Sequence, residues 1–143
     1  MPRIDWRTAL RGLAGFVAAV VIWVAASPLY DGFVAGGAEL MLRAFERPPV
    51  TQLKANGNDV EVVRSDFDPR SPHPGLPVID LTFNWVLLAA LFAINPRPFS
   101  DRNILRFVIA SLIMSVTHML ALASEVMSIV NGSAAAVSRI TPA

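Results

Sequence analysis

The chain has 143 residues, enough for one small domain. It is 54% hydrophobic and 16% charged, against roughly 25% charged residues in a soluble domain, and its mean hydropathy is +0.51. A net charge of +1 gives no reason to expect a nucleic-acid partner. Cysteine is absent, which excludes disulfides, thiolate metal sites and a cysteine nucleophile. His73 and His118 are the two histidines, so neither a histidine-rich metal centre nor a cofactor is expected.

Residues 1–12 form a polar lead with Arg3, Arg7 and Arg11. An uncharged stretch, LAGFVAAVVIWVAA, follows, and residues 13–30 read as a first transmembrane helix ending at Pro28. Trp23 and Tyr30 suit its outer interface. Val24-Ala25-Ala26 before Ser27 also fits a signal-peptide cleavage site. The length of the apolar stretch favours an uncleaved anchor.

Residues 31–77 read as an extracytoplasmic insert. Phe33, Ala38, Met41, Leu42 and Phe45 recur near helical spacing, which predicts a short amphipathic helix stopped by Pro48-Pro49. It would lie on the outer leaflet or pack on its own domain. Two β-prone runs then flank Asn56-Gly57-Asn58-Asp59 and predict a two-stranded hairpin turning at Asn56-Gly57. Its edges are open in principle to a strand from another chain. Residues 67–77, with four prolines, read as a loop holding a solvated His73. Gly32, Gly36 and Gly37 read as flexibility.

Residues 78–95 read as a second transmembrane helix, with Asp80 and Asn84 on one face near its start and Asp80 near the positive end of the helix dipole. Residues 96–103 make a basic turn and residues 104–130 a third transmembrane helix, stopped by Asn131-Gly132. Residues 131–143 form a small polar tail. The fold class expected is thus an all-α membrane protein, three transmembrane helices with an extracytoplasmic amphipathic helix and β-hairpin insert. Arginines in the lead and in the turn predict a cytoplasmic N-terminus and turn. Residues 28–77, in which acidic residues outnumber basic ones, are then extracytoplasmic.

The third helix carries the candidate site. Ser111, Ser115, Thr117, His118, Ser124, Glu125 and Ser128 fall on one broad side at 100° per residue. Polar groups at membrane depth are costly and face protein or water. Three uses compete: packing against helices or a partner, a proton path through His118, and a membrane hydrolase using His118 and Glu125. His118 and Glu125 are about 10 Å apart along the axis, too far for a direct hydrogen bond. No nucleotide-binding loop, zinc-protease motif or nucleophile elbow is present.

The layout and the run SPLYDGFVAGGAELMLRAFERPPVTQLKANGNDVEVVRSD resemble the exosortase H-associated membrane proteins of Gram-negative bacteria. The resemblance covers roughly residues 9–130 and rests on Pro-Leu-Tyr after the first helix, the Ala-Glu-Leu helix, Arg-x-Phe-Glu-x-Pro and the hairpin after it. It implies a non-enzymatic accessory protein of the bacterial inner membrane, partnered by the bilayer and by a membrane protein such as a sorting transpeptidase. It assigns no catalytic residue here.

Overall fold

The structure is a computed structural model. It describes residues 6–46, 51–57, 59–65, 67, 70, 72–95 and 97–140, with the side chains of Asp80 and residues 133–140 set aside. The expected stop at Pro48-Pro49 and the face assigned to Asp80 lie outside the described residues, as do residues 1–5 of the lead and 141–143 of the tail. Where sequence predicts a transmembrane helix and a separate amphipathic one, a single helix, α1 (Trp6–Phe45), runs through both. Pro28 sits inside it. Proline has no amide to offer the carbonyl four residues back. That carbonyl, of Val24, instead accepts from Ser27 Oγ at 3.3 Å. One buried seam, Ser27, Asp31, Val34, Ala35, Ala38 and Leu42, then continues past the proline.

The insert is a three-stranded antiparallel sheet: β1 (Thr51–Asn56), β2 (Asp59–Arg64) and β3 (Gly75–Pro77), in the order β1-β2-β3. The expected hairpin is its first two strands. Its register pairs Asn56 with Asp59 and Leu53 with Val62, so Asn56 belongs to β1 and the turn falls one residue later than expected. Hydrophobic alternation sets that register, since Leu53, Val60 and Val62 must share the buried face. Gly57 takes φ 64°, which only glycine adopts without strain. Part of the expected loop is β3, which pairs Leu76 with Val60.

Both sheet edges are occupied or blunted. On β1, the Thr51 amide donates to Glu46 (3.1 Å) and the Leu53 amide to Glu39 (2.9 Å), both carboxylates of α1. On β3, Pro77 has no amide to donate. An added strand would therefore meet acids or prolines where it needs free amides. Glu46 also holds Arg64 at 2.8 Å and Thr51 Oγ1 at 2.6 Å, pinning the end of α1 to the first two strands.

The second apolar block is shorter and less regular than expected. It forms α2 (Ile79–Thr82), a turn at Phe83 and α3 (Asn84–Ile94). From Ile79 to Ile94, turn included, the block reaches about 24 Å, against a hydrocarbon core of about 30 Å. Asn95 is extended, as a residue preceding proline must be, and ends α3. The connection is tied by Asn103 Nδ2 to the Arg97 carbonyl (2.8 Å). α4 (Asp101–Ile140) begins three residues before the expected start and runs through Asn131-Gly132. One exposed glycine costs a helix only about 1 kcal/mol, and the Ser-Ala-Ala-Ala-Val run beyond it restores helix propensity. Residues 131–140 are thus helix, not the expected tail.

The protein is mostly helical, with two long helices, α1 and α4, apolar enough to cross a membrane. It has two distinct halves. In one, the sheet packs Leu53, Val60 and Val62 against Val34, Ala38 and Leu42 of α1 and Met119, Leu122 and Val126 of α4. Gly37 admits Met119, since a Cβ there would collide with its sulfur. In the other half, α1, α3 and α4 pack through small residues and rings. Gly15 lies against Ala93, Trp23 packs edge-on to Phe83 (5.6 Å between centroids), and Phe92 meets Phe107 (4.7 Å). The rest of this half is bare: Leu13, Val17, Val21 and Ile22 of α1 and Leu105, Leu112 and Ile113 of α4 are all exposed.

Candidate functional site

The polar centre lies where the two halves meet, and α1, α2 and α4 build it together. α4 presents the sequence Ser111, Ser115, His118 inward at successive turns; Ser115 and His118 are buried and Ser111 half-buried. Tyr30, on the inner seam of α1, reaches across to both. Its hydroxyl is 2.9 Å from His118 Nδ1 and 3.2 Å from Ser115 Oγ. Ser115 Oγ is 2.9 Å from the Ser111 carbonyl.

The direction of this chain follows from its last acceptor. A carbonyl only accepts, so Ser115 donates to it. Ser115 Oγ then has lone pairs to offer, and Tyr30 donates to it. The Tyr30 oxygen in turn accepts from Nδ1–H of His118. Only this direction gives each of the three contacts one proton. It makes His118 the Nδ1–H tautomer and leaves Nε2 a bare acceptor. Among the described residues, nothing hydrogen-bonds Nε2.

The seven residues of the candidate stripe do not act together. They cover about half the circumference of the helix, and α1 packs against one edge of it. Ser111, Ser115 and His118 take that edge. Thr117 is exposed and returns its hydroxyl to the Ile113 carbonyl (2.9 Å). Ser124, Glu125 and Ser128 are exposed. Glu125 lies close to the angular position of His118 but stands two turns further along, where Leu122 and Val126 take the packed face of α4.

Two participants were not singled out from sequence. Local sequence rules make Tyr30 an interfacial aromatic and Asp31 the first residue beyond the span, because they end the helix near Pro28. Asp31 is 2% exposed; it hydrogen-bonds Thr82 of α2, and its Oδ1 has no partner among the described residues. Ser27, Tyr30, Asp31 and Val34 at helical spacing across the proline were the available signal.

Two hollows flank this centre. One, of about 380 Å³, lies between α1, α3 and α4 and is lined by Ala19, Trp23, Ser27, Tyr30, Trp85 and Phe107 among others. The indole nitrogens of Trp23 and Trp85 are buried without partners among the described residues. The other is a groove of about 610 Å³ between α3 and α4 with His118 at one end. No group of three potential metal ligands occurs among the described residues. Comparison of the chain with protein-family models, curated proteins and solved structures finds no match.

Proposed function

We propose that this is a multi-pass membrane protein whose role is accessory: it binds and positions another membrane protein and carries out no reaction itself. The sequence resemblance would make that partner a sorting transpeptidase of the bacterial inner membrane. α1 and α4 are the full crossings and α2–α3 the short one, its missing length met by local thinning or by interfacial residues. Gly12 packs on Ile94, so Arg11 and the basic turn share one end. The arginine rule then favours that end as cytoplasmic, with the sheet half outside. A water-exposed face as apolar as that of α1 and α4 would be an aggregation hazard, whereas lipid matches it.

The observation that carries the accessory reading is one uncovered face of α1. Leu29, Gly32, Phe33, Gly36 and Leu40 lie on it together, all exposed, and a Cβ on either glycine would meet nothing within 4 Å. Two mid-helix glycines that serve no internal contact cost roughly 2 kcal/mol of helix propensity. A Gly-x-x-x-Gly face between large apolar residues is the surface a second helix approaches closely. The internal polar residues favour the same reading. Their hydrogen bonds end on a backbone carbonyl, which has no proton to pass on, and Glu125 stands away from His118.

Isolation of the tagged protein from native membranes in mild detergent tests this. The expected result is a stoichiometric membrane partner that crosslinks at Phe33 and Leu40 and is lost with Gly32→Leu and Gly36→Leu. A clean preparation, or a partner indifferent to both substitutions, overturns it. Because the chain lacks cysteine, orientation is read separately with Asn58→Cys and Ser100→Cys. An impermeant maleimide should label the first in intact cells and not the second.

A further inference from the structure

The groove between α3 and α4 has a polarity gradient. Leu88 and Leu91 of α3 face Ala110 and Ile113 of α4 along its length, and Asn84, Thr117 and His118 gather at one end. That length is roughly 10 Å, seven helical residues on either wall. None of the lining residues is charged. The polar end sits eighteen residues above Ser100 on α4, about 27 Å, close to the far boundary of a bilayer core. The apolar part points back toward the bilayer centre, the orientation of a lipid in the outer leaflet.

The hydrogen-bond character of the polar end narrows the ligand. His118 is 2% exposed, and its Nε2 is an acceptor without a partner among the described residues. The Thr117 hydroxyl spends its proton on the Ile113 carbonyl and has lone pairs left to offer. These two acceptors and the Asn84 side-chain amide, with no cation among the lining residues, disfavour a phosphate and suit a hydroxyl, which can donate to the acceptors and accept from the amide. We infer that this groove binds a neutral lipid with a free hydroxyl head, of the monoacylglycerol type, its hydroxyl donating to His118 Nε2 and its chain lying between α3 and α4. The inference rests on the membrane-embedded reading above. It gives the Tyr30–Ser115 chain a purpose beyond packing, because that chain fixes the tautomer that leaves Nε2 free to accept.

The test uses the full chain in phosphatidylcholine nanodiscs carrying a monoacylglycerol with a diazirine in its acyl chain, or the same probe with both hydroxyls methylated. Adducts are mapped by mass spectrometry at Leu91, Ala110 and Ile113 and, as an internal reference, at Val17 and Val21 on the bare face of α1. The expected groove-to-reference ratio is roughly fivefold higher for the free hydroxyl, the worth of one neutral hydrogen bond. Ala110→Phe should abolish the excess and leave reference labelling unchanged, which shows that the variant is still embedded. Equal ratios for the two probes overturn the inference. So does a groove shielded from both probes in a chain that runs as a dimer, since a second copy then fills it. Absence of adducts even at Val17 and Val21 overturns the embedding itself.

Discussion

Tyr30→Phe isolates the hydroxyl that joins α1 to α4. The ring contacts with Trp85 (5.6 Å) and His118 (6.0 Å) survive in phenylalanine, so packing is held constant. What disappears is the acceptor for His118 Nδ1–H and the donor to Ser115 Oγ. Ser115 keeps its bond to the Ser111 carbonyl and loses little. His118 is left with a buried donor and no partner, a cost of about 1–3 kcal/mol. A loss of about 2 kcal/mol corresponds to a fall of roughly 4–8 °C in the unfolding midpoint for a chain of this size. The assay is thermal unfolding in detergent for Tyr30→Phe, Ser115→Ala and the double variant. The double variant should be less destabilised than the sum of the singles, because the two share one hydrogen bond. In a His73→Ala background His118 is the sole histidine, and its ¹⁵N shifts should report the Nδ1–H tautomer in the parent. A Tyr30→Phe loss below about 0.5 kcal/mol, no larger than an ordinary surface change, would refute the bridging role. An Nε2–H tautomer in the parent would refute the direction of the hydrogen-bond chain.

Glycines should divide by position: Gly36→Ala should stabilise the purified chain by up to about 1 kcal/mol through helix propensity. Gly15→Ala, which drives a methyl into Ala93, should cost about 1–3 kcal/mol in the same unfolding assay. Leu122→Ala, deep between the sheet and both long helices, should cost about 2–5 kcal/mol. Arg64→Ala should cost about 2 kcal/mol, between the values for exposed and fully buried ion pairs, because it takes the guanidinium counter-charge from the largely covered Glu46 carboxylate. Its effect should vary little between low and high salt, since surface screening reaches a covered pair poorly.

What was legible in the sequence was periodicity. The apolar blocks and the β-prone runs around Gly57 appear as helices and strands because each pattern is local. Tertiary compensation was not legible. Pro28 is a helix stop by every local rule, and the stop fails because Ser27 supplies the hydrogen bond that proline withdraws and because the seam from Ser27 to Leu42 has the sheet and α4 to pack against. Asn131-Gly132 fails as a stop for a weaker reason, a propensity cost that the alanines beyond it offset. β3 is three residues long with proline at its end, and only its pairing with β2 makes it a strand. The candidate stripe on α4 was visible as a pattern, but nothing in it could tell which edge α1 would take. That depended on Tyr30, 85 residues from Ser115 and on the far side of a proline that seemed to end its helix.

The unbroken course of α1 and α4 also decides how the two halves relate. Each helix belongs at once to the bare apolar half and to the half that packs on the sheet, and neither has a hinge at the junction. Proline and glycine are where such hinges form. Pro28 is compensated by Ser27, and Gly37 is filled against Met119. The polar centre therefore sits at a fixed height on rigid elements, with Tyr30 and Asp31 on one helix and Ser115 and His118 on the other. Rotating α1 by one residue would carry Tyr30 about 100° away from its partners. A partner that seats on the outer face of α1 at Gly32 and Gly36 grips the same turns that hold Tyr30 and Asp31 on the inner face. A shift of α1 that carries Tyr30 away would therefore break its hydrogen bond to His118 Nδ1.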